Sequence, residues 1–298
     1  MRWRDSEVAG FGEALAHGAA TIVNAITIGK GAALGIKLWT RAQVQLTDDA
    51  MVIRGTIISD PREDTTLIEK AVRLVFEHYN IKKYGATVET QSNIPIARGL
   101  KSSSVAANAL VLATSAALGQ KLDDMAALKL SVDSASEAGI TITGAFDDAC
   151  ASYFGNIVLT DNVNRKILKR DQLKEDYQVF IHIPSQKSYT ADLDIQKVKQ
   201  IAPEVENAFQ EAMHGNYWKA LTLNGRLYSK ALGYDQTLVR EALDSGALAA
   251  GLSGKGPATV AIAVEDKAEK IEEAMRAYPG TVIKSKPNKE PAYIVRRE

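Results

Sequence analysis

The 298-residue sequence predicts an α+β fold, and three observations carry that reading. Residues 36–46 alternate apolar and polar side chains, the period-two pattern of a half-buried strand. Residues 103–118 and 121–138 read as two helices back to back. Elsewhere strands and helices mix without the regular βαβ alternation of a doubly wound parallel sheet.

Each element has a local reason. Ile36, Leu38, Ala42, Val44 and Leu46 form the apolar side of the first strand; Thr47-Asp48-Asp49 makes a turn, and Met51-Val52-Ile53 returns as its partner. Thr66 and Glu69 stand at capping-box spacing and open a helix with Ile68, Ala71, Val72 and Val75 on one face. Ala86, Val88 and Thr90 alternate as a further strand. The Ala- and Leu-rich stretch 103–118 favours helix, and Gly119 closes it. After the second helix, TITGAFDDACASYFGN (141–156) is a segment of glycines and acids, followed by the strand Ile157-Val158-Leu159. Residues 161–176 are almost wholly polar and mark a domain boundary or a long exposed hairpin, which divides the chain into 1–163 and 164–298. Beyond it lie a strand over 177–183, three or four helical segments over 193–248, the cluster GLSGKGP (251–257), a strand over 258–264, a helix over 267–278 and a closing strand over 281–285.

Composition narrows the function. Apolar residues make up 46% and charged residues 24%, enough for a developed core. Lys plus Arg and Asp plus Glu are 36 each, and a net charge of zero argues against a nucleic-acid partner. The single cysteine, Cys150, excludes an internal disulfide and fits a reducing cytoplasm. Glu7, Glu13 and His17 interrupt the N-terminal apolar residues, so no secretory leader is expected, and no apolar run is long enough to span a membrane. Oligomeric state is left open, a homo-oligomer included.

Three clusters could carry chemistry. In PIARGLKSSS (95–104), three consecutive serines and Lys101 stand where a helix begins. One hydroxyl suffices for a cap, whereas a helix N-terminus flanked by glycine, lysine and serines also suits phosphate. The P-loop pattern is absent, because Gly29-Lys30 and Gly254-Lys255 are each followed by glycine; G-x-G-x-x-G is absent too. The GLSGKGP cluster is either a tight turn or a brace for the serine loop. Glu137, Asp147 and Asp148 are either solvated caps or, beside phosphate, magnesium ligands and a base. His17, His78, His182 and His214 lack metal-ligand spacing, and no G-x-S-x-G elbow occurs.

PIARGLKSSS resembles the second motif of the GHMP kinases (galactose, homoserine, mevalonate and phosphomevalonate kinases), P-x-x-x-G-L-x-S-S followed by a small residue. GLSGKGPATVAI resembles their third motif, and the small-residue segment 10–24 loosely matches the first. Within the family RGLKSSS, GAATIVNAITIGKGAALGI (18–36) and TGAFDDACAS (143–152) are similar to the archaeal-type shikimate kinases.

The resemblance implies a two-domain α+β fold with the active site in the cleft between domains, and ATP- and Mg²⁺-dependent phosphorylation of the 3-hydroxyl of shikimate. The alternatives are a homoserine- or mevalonate-type kinase, or a non-catalytic interaction protein on the same fold. It also implies roles. Pro95, Ile96, Ala97, Arg98, Gly99, Leu100, Lys101, Ser102, Ser103 and Ser104 wrap the ATP phosphates, with Ser102, Ser103 and Glu137 as magnesium ligands. The family's base precedes a serine by four residues and a glycine by seven; Asp148 meets both with Ser152 and Gly155, and it follows Glu137 by eleven. Asp148 is therefore the expected base, Asp147 the second choice, and Lys101 the cation on the transferred phosphoryl group. The substrate carboxylate needs a cation, expected from the N-terminal half.

Overall fold

The computed structural model describes residues 10–95, 99–141, 144–185 and 195–298. Two sheets organise it. The first holds β1 (Phe11–Val23), β2 (Lys30–Thr47), β3 (Ile53–Ile57), β4 (Gly85–Ser92), β5 (Ile157–Asp161), β6 (Lys166–Asp171) and β11 (Tyr293–Arg297). The second holds β7 (Gln178–Ile183), β8 (Ala249–Leu252), β9 (Thr259–Ala263) and β10 (Thr281–Ser285), in the order β10-β7-β9-β8.

The predicted strand over 36–46 is the second half of an 18-residue β2. Its partner is β1, which follows it antiparallel over nearly its whole length. Residues 11–23 carry little strand signal, since alanine and glycine are weak strand formers. They extend because α2 (Ser102–Ala117) lies across them: a Cβ on Gly12 would stand 2.0 Å from the Ala113 carbonyl oxygen. Contrary to expectation, residues 51–53 do not return beside β2. The strand begins at Ile53 and pairs in parallel with β4, the connection being α1 (Thr66–His78). The capping box is not made either. Thr66 is the first residue of α1, and its backbone N–H donates to Asp64 Oδ1 at 2.6 Å.

Thirteen of the sixteen residues of α2 are buried, so its mixed Ala, Leu and Val composition reflects contact on every side rather than one apolar face. It packs on β1, β2, α1 and on α3 (Asp124–Glu137) and α4 (Phe146–Phe154). Helix α4 occupies the segment read from the sequence only as glycines and acids. Its start is set by Ala145 in the left-handed conformation, and all nine of its residues are buried. The polar stretch 161–176 is an exposed hairpin: β6 pairs with β5. The expected division between residues 163 and 164 falls in its turn, and both β6 and β11 join the first sheet. Helices α5 (Ile195–Lys199), α6 (Ala202–Met213), α7 (Tyr217–Leu232), α8 (Thr237–Asp244) and α9 (Ala268–Arg276) complete the second half. One apolar core runs through both, joining Leu110 and Phe146 to Ile181, Tyr228 and Leu252. No helix among the described residues is long and apolar enough to cross a membrane.

Candidate active site

A cavity of about 680 Å³ opens at the N-terminal end of α2, within the size range of small-molecule sites. Gly99, Leu100, Lys101, Ser102, Ser103 and Ser104 line it. Pro95 does not, and Ile96, Ala97 and Arg98 lie outside the described residues. Gly99 turns at φ +80° and Lys101, the N-cap, sits at φ +64° in a region few non-glycine residues adopt. No side chain caps the helix. Its first N–H groups and the positive end of its dipole therefore face the cavity, the arrangement that binds anions.

The glycine cluster closes over this loop from the other sheet. Ser253 Oγ donates to the Gly99 carbonyl at 3.0 Å. A Cβ on Gly99 would lie 2.6 Å from the Ser253 carbonyl oxygen, so only glycine allows this approach. The brace is tied to the first sheet as well. The Gly254 N–H donates to Thr21 Oγ1, and Asn24 Nδ2 donates to the Gly254 carbonyl, both at 3.0 Å. Asn24 was invisible to motif reading because its role depends on a partner 230 residues away.

The two aspartates of α4 have different partners. Asp147 is held by Asn162, whose Nδ2 donates to its Oδ1 at 2.7 Å and whose Oδ1 accepts its backbone N–H at 3.2 Å. Gly31 presses on the other oxygen, since a Cβ there would stand 2.3 Å from Oδ2. Asp148 instead meets Lys101, Oδ2 to Nζ at 2.8 Å, with side chains 4% and 16% exposed. Asp148 Oδ1 is buried without a hydrogen-bond partner. Burial, then the charge of Asp147, pushes the Asp148 carboxyl up to about 7 despite Lys101 beside it. Burial pulls the Lys101 ammonium down, but Asp148 and Asp147 outweigh it and hold it above its ordinary value. Around neutral pH, then, a proton-accepting carboxylate faces a fixed cation.

Lys255, from the GLSGKGP loop, also lines the cavity. Burial, then the charge of Lys101, pushes its ammonium down to about 8. Glu137 is not a lining residue: it ends α3, 46% exposed, with its Oε2 at 3.4 Å from Lys70 Nζ, while residues 138–141 beyond it do line the cavity. Among the described residues no three acidic, histidine or cysteine side chains form a ready metal cluster. The histidines stay outside the cavity lining, and Cys150, buried and with its thiol pushed well up, is inert.

Comparison with known proteins agrees with this geometry. Residues 66–156 match the model of the GHMP kinases N terminal domain, and residues 201–280 that of the GHMP kinases C terminal domain. The chain is similar to the shikimate kinase of Methanosarcina mazei, 45% identical over 289 residues that cover 96% of this chain and 98% of that one. In fold it is similar to a homoserine kinase from Cytophaga hutchinsonii, with a TM-score of 0.77 at 19% identity, covering 99% of this chain and 100% of the other. It is likewise similar to the Methanococcus jannaschii mevalonate kinase, with a TM-score of 0.77 at 18% identity over 96% of this chain and 100% of that one.

Proposed function

Because the chain belongs to the GHMP kinase family, we propose that it transfers the γ-phosphoryl group of ATP to the 3-hydroxyl of shikimate, giving shikimate 3-phosphate and ADP. The observation that carries the chemistry is the buried Asp148–Lys101 pair beside the open N-terminus of α2. The choice of acceptor rests on relatives named shikimate kinase at 40–45% identity over most of their length.

Asp148 accepts the proton of the 3-hydroxyl on the carboxylate that faces Lys101. The freed oxygen forms the new O–P bond, and the bond from γ-phosphorus to the bridging oxygen breaks to release ADP. Lys101, charged throughout, and the α2 N–H groups stabilise the charge on the equatorial phosphoryl oxygens, where positioning and electrostatics supply most of the rate. Asp147, held by Asn162, keeps the first turn of α4 in place and raises the proton affinity of its neighbour.

Magnesium, when bound with the triphosphate, neutralises its charge. The donor chemistry fits a hard cation that takes few protein ligands: hydroxyl oxygens of Ser102 and Ser103 at the cavity wall, and the carboxylate of Glu137, whose exposed contact with Lys70 is weak. The division of the chain at residues 163/164 assigns the phosphate loop and Asp148 to the N-terminal part and the GLSGKGP brace to the C-terminal part. A coupled assay of ADP release over a panel of hydroxylated acids tests the acceptor. Turnover with homoserine or mevalonate and none with shikimate overturns the proposal.

A further inference from the structure

We infer that Lys255 is the anchor for the carboxylate of the acceptor, and so the residue that makes this cavity selective for a hydroxy acid over a neutral polyol. The inference rests on the reading above, since it takes a carboxylated alcohol as the substrate. Among the described residues that line the cavity only two are cationic, Lys101 and Lys255. Lys101 is committed to Asp148 at 2.8 Å. The lining also carries Glu63, Asp64, Asp147 and Asp148, so an anionic acceptor meets repulsion everywhere except beside these two lysines.

Geometry places Lys255 on the acceptor side. Its ammonium lies within electrostatic reach of Asp148 and Lys101. In shikimate the carboxylate stands two ring bonds from the 3-hydroxyl. A hydroxyl held at Asp148 therefore puts the carboxylate a ring's width away, a span that a long lysine stem covers. The backbone that presents it is fixed on both sides. Gly254 and Gly256 adopt φ of +61° and +78° around Lys255, and the Gly256 N–H donates to the Ser253 carbonyl at 2.9 Å. Gly254 is tied to Thr21 and Asn24, and Ser253 to Gly99. A side chain on such a loop is preorganised rather than recruited. Its proton affinity, already lowered by burial and by Lys101, is restored when an anion arrives. The cation thus comes from the C-terminal half of the chain, not from the N-terminal half as the sequence led one to expect.

The test is an enzyme–substrate cycle: wild type and Lys255→Met, each with shikimate and with its neutral carboxamide, read as kcat/KM at saturating ATP. Wild-type turnover of shikimate comes first; its absence sinks the proposed function itself. Given that turnover, Lys255→Met is expected to raise KM for shikimate by about 30-fold or more, the loss of one charge-assisted hydrogen bond. KM for ATP stays within about threefold. The wild type loses a similar factor on going to the carboxamide, and the variant loses almost nothing further. Lys255→Arg, which keeps the charge, recovers part of the loss and shows that the fold is intact. Equal losses for acid and amide, or a loss that falls on ATP instead, overturn the inference.

Discussion

Replacing Lys101 by methionine should move the acid limb of the pH–rate profile upward by about two pH units. The Lys101 ammonium stands 2.8 Å from Asp148 Oδ2 and both groups are buried. Breaking such a pair costs about 3–5 kcal/mol, which at about 1.4 kcal/mol per pKa unit corresponds to roughly 2–4 units. Lys255 also lowers the Asp148 carboxyl and remains in the variant, so the lower end of that range applies. The base acts deprotonated, and kcat/KM therefore rises with pH through its pKa. In the wild type that limb is centred near 7, where burial and Asp147 hold the carboxyl. In Lys101→Met it moves to about 9, so near neutrality roughly 1% of sites are competent instead of half, a loss of roughly 50-fold from protonation alone. The plateau falls as well, because the variant also lacks a cation on the phosphoryl oxygens. ADP release should be followed from about pH 6 to about pH 10, and the position of the limb, not its height, is the readout. Lys101→Arg is the control and should leave the limb near neutral. A limb that stays near 7 in Lys101→Met refutes the reasoning: either Asp148 is not the titrating base or Lys101 does not control it.

Other outcomes follow from the same geometry. Asp148→Asn should lower kcat by about 10²–10⁴-fold while ATP affinity, measured by direct titration, stays nearly unchanged; wild-type turnover would reject the base assignment. Asp147→Asn should keep most activity, since the amide oxygen can still accept from Asn162, and should move the acid limb below 7 because a repelling charge is gone. A limb that moves the other way contradicts the assigned electrostatics. Gly99→Ala places a Cβ 2.6 Å from the Ser253 carbonyl oxygen at a positive φ, and should raise KM for ATP at least tenfold by prising the brace from the phosphate loop. An unchanged KM would show that the two loops are not coupled.

The amino-acid sequence by itself determined the local features of this protein. Lys101, three serines and an Ala-rich run announce a helix whose start suits phosphate, and the spacing from Asp148 to Ser152 and Gly155 separates it from Asp147 by family likeness. Alternation over 36–46 announces a strand because a half-buried strand repeats every two residues. Tertiary structure decided the rest. The Ala- and Gly-rich strand β1 and the short buried helix α4 have little propensity of their own; they form because α2 packs against both. Which carboxylate meets Lys101 and which is locked by Asn162 depends on how the first turn of α4 faces α2. The contacts that make Lys255 part of the site join Gly99 to Ser253, 154 positions apart. Periodicity and spacing report on neighbours along the chain, whereas a buried ion pair and a braced loop exist only once the core has closed and water has left.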